Sequence, residues 1–427
     1  MPLEPARSAR PPRSPSRPVR SCVGAAVVGV VTSEGAGVEP LTCSAALTHH
    51  WLVRRRGGEK VLEALAELLP GAAVYTLVLD RAGLGDSPLA SHEIHASWLQ
   101  RLPGAARYYP RLLPLMPAAA ARMRLPDVEL VVCSDAALAK CMTAGPGSRV
   151  VCYCHSPMRY VYEEAIREQY VRSLSPPLRP LFRRVVERVR AADQAAARRV
   201  DVFVANSRHV AERIARSYGR GAQVVYPPVD VPESPPAAGP REDYYVCLGH
   251  HVPYKRLDLA VEATRVLGRR LVIIGDGPAT RRVDPGRDRH VQLLGWQPDE
   301  IIDTHLRRAR GLLFPGEEDF GLVPVEALAR GCPVIAYGVG GAAETITEAQ
   351  TGVLFERQTP SGLIEAIERF ERLAFDALRL HADAMRFCRL RFLREMRAVL
   401  AAALERKSAG KPKDAAPGCE DHQQSCT

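Results

Sequence analysis

The feature that most constrains this chain is a repeated alternation of short, unbroken apolar runs with stretches of helical periodicity. A strand with one wet face alternates apolar and polar side chains. A continuous apolar run belongs to a strand covered on both faces, and such strands occur in parallel sheets joined by helices. Runs of this kind predict strands at residues 45–53, 73–79, 128–133, 150–154 and 202–205. Between the first two, residues 59–69 place Val61, Leu62, Leu65, Leu68 and Leu69 on one helical face. Asn206 and Ser207 open a further helix running to about Ser217. A turn-rich segment follows, Tyr226-Pro-Pro-Val-Asp230, then Pro232 and residues 235–240. The two-sided runs resume at residues 245–248, 271–274, 291–294, 311–314 and 333–337, and residues 361–406 read as helical throughout. The expected class is therefore α/β, with two Rossmann-like βαβ domains. The first spans residues 45–226, the linker 227–240 and the second domain 241–375, with 376–406 as C-terminal helices packing across the domains. Ligands of such sheets bind beyond the carboxyl ends of the strands, so the natural site is the cleft between the domains.

A length of 427 residues suits two to three domains at about 150 residues each. The formal charge of +10 is compatible with nucleic acid, an anionic membrane face or phosphorylated substrates, and chooses none of them. Part of it comes from Arg7, Arg10, Arg13, Arg17 and Arg20, set against Glu4 alone, so nucleic-acid binding is not expected. Residues 1–21 precede an apolar stretch at 23–31, which is the order of a signal peptide. The charged part is long and proline-broken and the apolar part is rich in glycine, so residues 1–44 are expected to be a disordered, low-complexity extension, and 407–427 a disordered tail. No apolar stretch reaches the roughly 20 residues of a spanning helix. The 11 cysteines are scattered and odd in number, with no paired CxxC, which predicts a reducing, cytoplasmic setting and no disulfide framework. Cys152 and Cys154, two apart in a strand, should share a face and pack.

The segment from Phe314 to Ile346 carries the chemistry. Phe314-Pro-Gly-Glu-Glu-Asp-Phe-Gly-Leu-Val-Pro-Val-Glu326 leaves a strand end and enters a helix, with Pro324 in its first turn and Gly331 just past its end. Free N–H groups at such a helix start attract phosphate. The construction repeats at once: a strand, Gly338-Val-Gly-Gly341, and a helix with Glu344 in its first turn. Two helix starts facing one cleft would cradle a diphosphate. Glu318 and Glu326 are too far apart to chelate one ion from one helical turn but could grip two ends of an extended ligand, since carboxylates accept hydroxyl hydrogen bonds well.

This segment resembles the Glu-x7-Glu signature of retaining GT-B glycosyltransferases of family four. Other pieces match in order: Arg56-Gly57-Gly58-Glu59-Lys60, Tyr153-Cys-His155-Ser-Pro-Met-Arg159-Tyr160, Ala205-Asn-Ser207, Tyr226-Pro-Pro-Val-Asp230, Val252-Pro-Tyr-Lys255-Arg-Leu-Asp258 and Gly275-Asp-Gly-Pro278. The set covers residues 45–405 and is similar to bacterial O-antigen and polysaccharide mannosyltransferases. The resemblance implies a GT-B fold whose C-terminal helices cross back. It assigns Glu318 to hydroxyls of the donor sugar, Glu326 to the ribose, and Phe320, Gly321 and Leu322 to backbone contacts with sugar and diphosphate. Lys255 should neutralise the diphosphate, Gly57 and Gly58 approach the donor closely, and His155 sit beside the reacting sugar. His250 departs from the pattern, which has arginine there; it should bind phosphate more weakly, or His251 or Arg256 should compensate. Glu59 reads as a helix-start residue without chemistry.

The expected function is metal-independent transfer of a hexose, mannose from GDP-mannose, to a glycan or polyprenyl-diphosphate-linked acceptor in cell-surface polysaccharide synthesis. Neither a metal nor another cofactor is expected, since no Asp-x-Asp occurs. Residues 99–125 mix leucine and tyrosine with Arg101, Arg107, Arg111, Arg122 and Arg124, which suits peripheral contact with an anionic membrane at the inner face of the cell membrane. A sugar-nucleotide epimerase and a non-catalytic binding relative are the alternatives.

Overall fold

The computed structural model describes residues 37–408 except 237, 238 and 285. Residues 1–36 and 409–427, where the extension and most of the tail are expected, lie outside the described residues. The first sheet has seven strands: β1 (Ala45–His49), β2 (Ala73–Thr76), β3 (Ile94–Ala96), β4 (Leu130–Asp135), β5 (Arg149–Cys154), β6 (Val202–Ala205) and β7 (Gln223–Val224). The second has six: β8 (Tyr244–Leu248), β9 (Arg270–Ile274), β10 (Val291–Gly295), β11 (Gly311–Phe314), β12 (Val334–Tyr337) and β13 (Gly352–Phe355). Every pairing is parallel, in the orders β3-β2-β1-β4-β5-β6-β7 and β10-β9-β8-β11-β12-β13. The strand order reverses between β1 and β4 in one sheet and between β8 and β11 in the other. A crevice opens at such a switch point because the two flanking helices leave in opposite directions.

The two-sided apolar runs are explained by what covers them. In β5, Cys152 and Cys154 enter one core with Cys133 and Phe203, while Val151 and Tyr153 enter the core on the opposite face with Leu47 and Leu65. Among the described residues the cysteines are free thiols. The second sheet repeats the plan, with Val246 and Ile274 on one face and Tyr245 and Ile273 on the other.

Three features differ from expectation. The first strand stops at His49, because the chain then turns out of the sheet, keeping only a bridge from Leu52 to Leu79. Strands β3, β7 and β13 were not anticipated. The chain also packs ahead of Ala45: Val38 and Leu41 lie on the first core, and the Leu41 N–H donates to the Leu68 carbonyl at 2.9 Å.

The C-terminal segment splits by destination. The Ala377–Ala384 helix stays with the second domain, where Leu380 and Ala384 join its core. The Arg389–Ser408 helix alone crosses back, seating Phe392, Leu393, Met396, Leu400 and Ala403 in the first domain. Each large apolar side chain buried this way contributes about 1.5–3 kcal/mol. Arg389 adds an ion pair with Glu67 at 2.7 Å.

Candidate active site

Strand β11 delivers the chain to the cleft at Phe314, and Glu318 follows on the loop. Gly321 begins the Leu322–Ala329 helix from φ 83°, a conformation open to glycine at little cost. Phe320 is buried between Tyr226 and Phe387, with ring centroids 5.7 and 5.6 Å away, so its side chain anchors the loop. The N–H groups of Phe320, Gly321 and Leu322 have no acceptor among the described residues, which leaves the helix start available to an anion. Pro324 falls in the first turn and Gly331, at φ 71°, just past the end.

The second loop does a job that was not anticipated. Its helix, Ala342–Thr345, has only four residues. The Glu344 carboxylate accepts the N–H groups of Arg208 and His209, each at 2.9 Å, and the Tyr226 hydroxyl at 3.1 Å. It therefore caps the Arg208–Tyr218 helix of the facing domain. The glycines support the first loop from behind: Gly341 N–H donates to the Glu318 carbonyl at 2.8 Å, and a Cβ on Gly341 would lie 2.2 Å from Phe320 Cα. Gly341→Ala must displace the Glu318–Phe320 backbone, at a cost of about 1–3 kcal/mol. Donor affinity is expected to fall roughly tenfold by calorimetry; an unchanged affinity would show that this support is dispensable.

Lys255 Nζ sits 2.7 Å from Glu318 Oε1, joining the residues expected to meet the diphosphate and the sugar. Neither proposed substitute for the missing arginine is free to act. His251 is buried, its Nε2 bonding the Ile274 carbonyl at 3.0 Å, and burial holds its ring neutral down to about pH 4. Arg256 turns away to Asp258 at 2.9 Å. His250 itself is exposed; partial burial first, and then Arg56 across the cleft, lower its affinity for a proton. The cations facing His250 are thus Lys255 and, from the first domain, Arg56 and Arg54. Arg55, between them, is bound to Glu63 at 2.8 Å.

The first domain closes the site. Gly57 abuts the Leu322–Ala329 helix, where a Cβ would meet Leu322 Cδ1 at 2.4 Å, and Gly58 faces His155. Glu59 Oε2 accepts the Arg56 N–H at 3.0 Å, the helix-start role expected of it. Glu326 is partly exposed on the opposite helix, and burial raises its pKa against the pull of Lys60 and Arg330. Lys60 in turn holds Asp230 of the linker at 2.8 Å.

His155 follows β5, partly open to the cleft, and its Nε2 bonds Ser134 Oγ at 2.8 Å. Burial pushes the pKa of His155 down to about 3, His50 to about 3 and His49 to about 4. The unfolded chain protonates histidine near pH 6.5, so between there and about pH 4 it binds protons that the folded chain refuses. The contribution of these three rings to stability is therefore flat above about pH 6.5 and falls as pH drops below it. His50→Gln is expected to flatten this fall by one proton, about 1.4 kcal/mol per pH unit. Urea unfolding between pH 7.5 and 5 checks this; an unchanged slope would refute it.

Sequence reading missed an ionic clamp across the cleft. Arg213, buried on the Arg208–Tyr218 helix, pairs with Asp319 and with Glu317 at 3.2 Å, and with Glu163 at 2.9 Å. Arg159 reaches the Glu317 carbonyl at 3.3 Å, and Ser207 Oγ donates to the Asp319 carbonyl at 2.5 Å. The available signal was Arg159 within the His155 motif; nothing in local spacing marks Arg213.

Comparison with known proteins agrees with this geometry. Residues 55–233 match the family model for Glycosyltransferase Family 4, and residues 233–383 that for Glycosyl transferases group 1. A GDP-mannose-dependent alpha-(1-6)-phosphatidylinositol monomannoside mannosyltransferase of Mycolicibacterium smegmatis is 29% identical over 198 residues, 39% of this chain and 52% of the relative. A glycosyltransferase of Methanocaldococcus jannaschii is 31% identical over 125 residues, 28% of this chain and 36% of the relative. The chain thus spans about a third to a half of the length of the curated relatives it matches. The crystal structure of Anabaena HepE with UDP superposes at a TM-score of 0.58 and 17% identity, over 84% of this chain and all of that one. With two parallel-sheet domains and contiguous matches to both halves, the chain belongs to the group 1, family four glycosyltransferases of GT-B fold.

Proposed function

We propose that this protein transfers a hexosyl group, mannose from GDP-mannose, to a glycan or lipid-linked acceptor with retention at the anomeric carbon. The observation that carries the reading is the Lys255–Glu318 pair, 2.7 Å apart beside a helix start with free N–H groups. Lys255 and those N–H groups meet the charge that builds on the leaving diphosphate, without a divalent ion. Glu318 and His155 hold hydroxyls of the sugar, and Glu326 the ribose. The acceptor oxygen attacks the anomeric carbon from the face the diphosphate leaves. The carbon–oxygen bond to phosphate breaks, and a phosphate oxygen takes the acceptor proton. GDP-mannose is supported by the named mannosyltransferase relatives.

The deciding experiment is nucleoside-diphosphate release from a panel of nucleotide sugars, with and without chelator, and with anomer analysis of the product. Activity with GDP-mannose in chelator, giving the retained anomer, is expected. An inverted product would overturn the mechanism. Release of a rearranged free sugar without acceptor would make the protein an epimerase, and tight binding without turnover a non-catalytic relative. An acceptor at an anionic membrane face is supported by the exposure of Arg101, Arg107, Arg111, Arg122 and Arg124 in the same stretch as Tyr108 and Leu115, each 41% exposed. Absence of co-sedimentation with phosphatidylglycerol vesicles would remove that part.

A further inference from the structure

A chain of polar side chains runs behind the cleft. His49 ends β1, Ser134 lies near the end of β4, and the sheet register sets them side by side next to the switch point. Ser134 Oγ is 3.0 Å from His49 Nδ1 and 2.8 Å from His155 Nε2. The other nitrogen of His49, Nε2, faces Glu59 Oε1 at 3.7 Å. Ser134 is fully buried, as is His49, and Glu59 is 5% exposed.

A neutral imidazole carries one N–H and one bare nitrogen, and a hydroxyl carries one proton. Ser134 can donate to only one of the two rings; were it to accept from both, its own proton would have no acceptor among the described residues, so it accepts from the other ring and the tautomers of His49 and His155 are locked together. Only two arrangements satisfy the chain. In one, His49 is protonated on Nδ1, which turns a bare nitrogen lone pair toward the Glu59 carboxylate and is repulsive. In the other, His49 turns its Nε2–H toward Glu59, an electrostatic contact at 3.7 Å rather than a hydrogen bond, its bare Nδ1 accepts the Ser134 proton, and Ser134 Oγ accepts the Nε2–H of His155. The carboxylate therefore selects the second arrangement from two rings away. His155 is left with a bare Nδ1, which has no partner among the described residues.

We propose that Glu59, His49 and Ser134 are positioning residues that hold His155 as its Nε2–H tautomer, so that Nδ1 faces the cleft as an acceptor for a sugar hydroxyl. The hydroxyl contact rests on the transfer reading above; the tautomer does not. Without the relay, the free ring prefers neither orientation strongly and spends part of its time offering a donor where an acceptor is needed.

The test is nitrogen-15 NMR of ring-labelled histidine in the full chain, with His155→Gln assigning the signal. The expected wild-type pattern at His155 is a protonated Nε2 and a bare Nδ1. Ser134→Ala and Glu59→Gln should each give mixed tautomers, with thermal unfolding confirming that they fold, and Ser134→Thr should restore the single form. In the transfer assay, Ser134→Ala is expected to lose about tenfold in kcat, the worth of one hydrogen bond, with donor KM within about twofold. Ser134→Thr should recover the rate. An Nδ1–H tautomer in the wild type, or a tautomer unchanged in both variants, would overturn the proposal. The NMR measurement needs no substrate, so its failure sinks the relay, whereas failure of every donor in the panel would sink the transfer reading alone.

Discussion

Glu318→Ala is expected to lower sugar transfer by about two to three orders of magnitude, the usual cost of removing one group aimed at the reacting centre. The fold should survive it. The Glu318 and Lys255 side chains are 21% and 19% exposed, so the lysine left behind can be solvated, and the melting temperature should hardly move. Binding of the product should respond in the opposite direction to turnover. In the free protein Lys255 is engaged by Glu318, and an incoming diphosphate competes with that carboxylate. Glu318→Ala releases the lysine, so nucleoside-diphosphate affinity should stay level or rise while kcat collapses. Lys255→Ala should lower both. Calorimetry beside the transfer assay reads the two quantities, and a Glu318→Ala enzyme within tenfold of wild type would remove Glu318 from the chemistry.

The largest stability effect is expected far from the donor loop. Lys140 is fully enclosed in the first domain, its Nζ 2.5 Å from Asp135 and paired also with Asp193. Asp193 accepts the Tyr162 and Tyr218 hydroxyls at 2.7 and 2.8 Å, and Asp135 accepts the N–H groups of Ala137 and Ala139. Lys140→Met leaves two carboxylates in the interior without their cation, which costs about 3–5 kcal/mol. A domain of this size loses about 2–4 °C per kcal/mol, so the melting temperature should fall by about 10 °C. The pH dependence identifies the cause. In the wild type, burial pushes the Asp135 carboxyl up, but Lys140 and its hydrogen bonds outweigh it and hold the pKa low. A lowered acid stabilises above its ordinary value and loses that contribution as pH falls through the folded value. Asp193 is already raised in the wild type by its burial, and in Lys140→Met Asp135 joins it, so acidification neutralises the unpaired carboxyls and relieves the penalty. The gap between the two proteins should therefore narrow as pH drops from 7 to 5. A gap of under about 2 °C at neutral pH would mean that the cluster is solvated.

The parallel architecture was legible because its central strands are buried on both faces and carry unbroken apolar runs, as in residues 130–133 of β4 and the whole of β11. Strands β3 and β7, of three and two residues, are too short to show a period, and their pairing is settled by the neighbouring strand. The strand-to-helix connection after β11 was legible for a related reason: Glu318, Gly321, Pro324 and Glu326 all lie within one short stretch of sequence. The Ser134 hydroxyl was not, because its two histidine partners lie 85 and 21 residues away and meet only once β1, β4 and β5 are in register. Glu344 shows the same limit. Its place in a helix start was readable, but its partners at Arg208 and His209 belong to the other domain.

The chain passes between the domains twice, and the two passages touch: Val229 bridges Cys388, and the Val229 N–H donates to the Phe387 carbonyl at 3.0 Å. Two strands lashed together at one corner behave like the spine of a book. Sliding and twisting are resisted, and the easy motion is opening about that line. The displacement then grows with distance from the spine, so the Arg213 contacts to Glu317 and Asp319 break as a group rather than one by one. A spin-label pair set across that far rim should report two separated distances in the free protein, with donor shifting the population toward the shorter one.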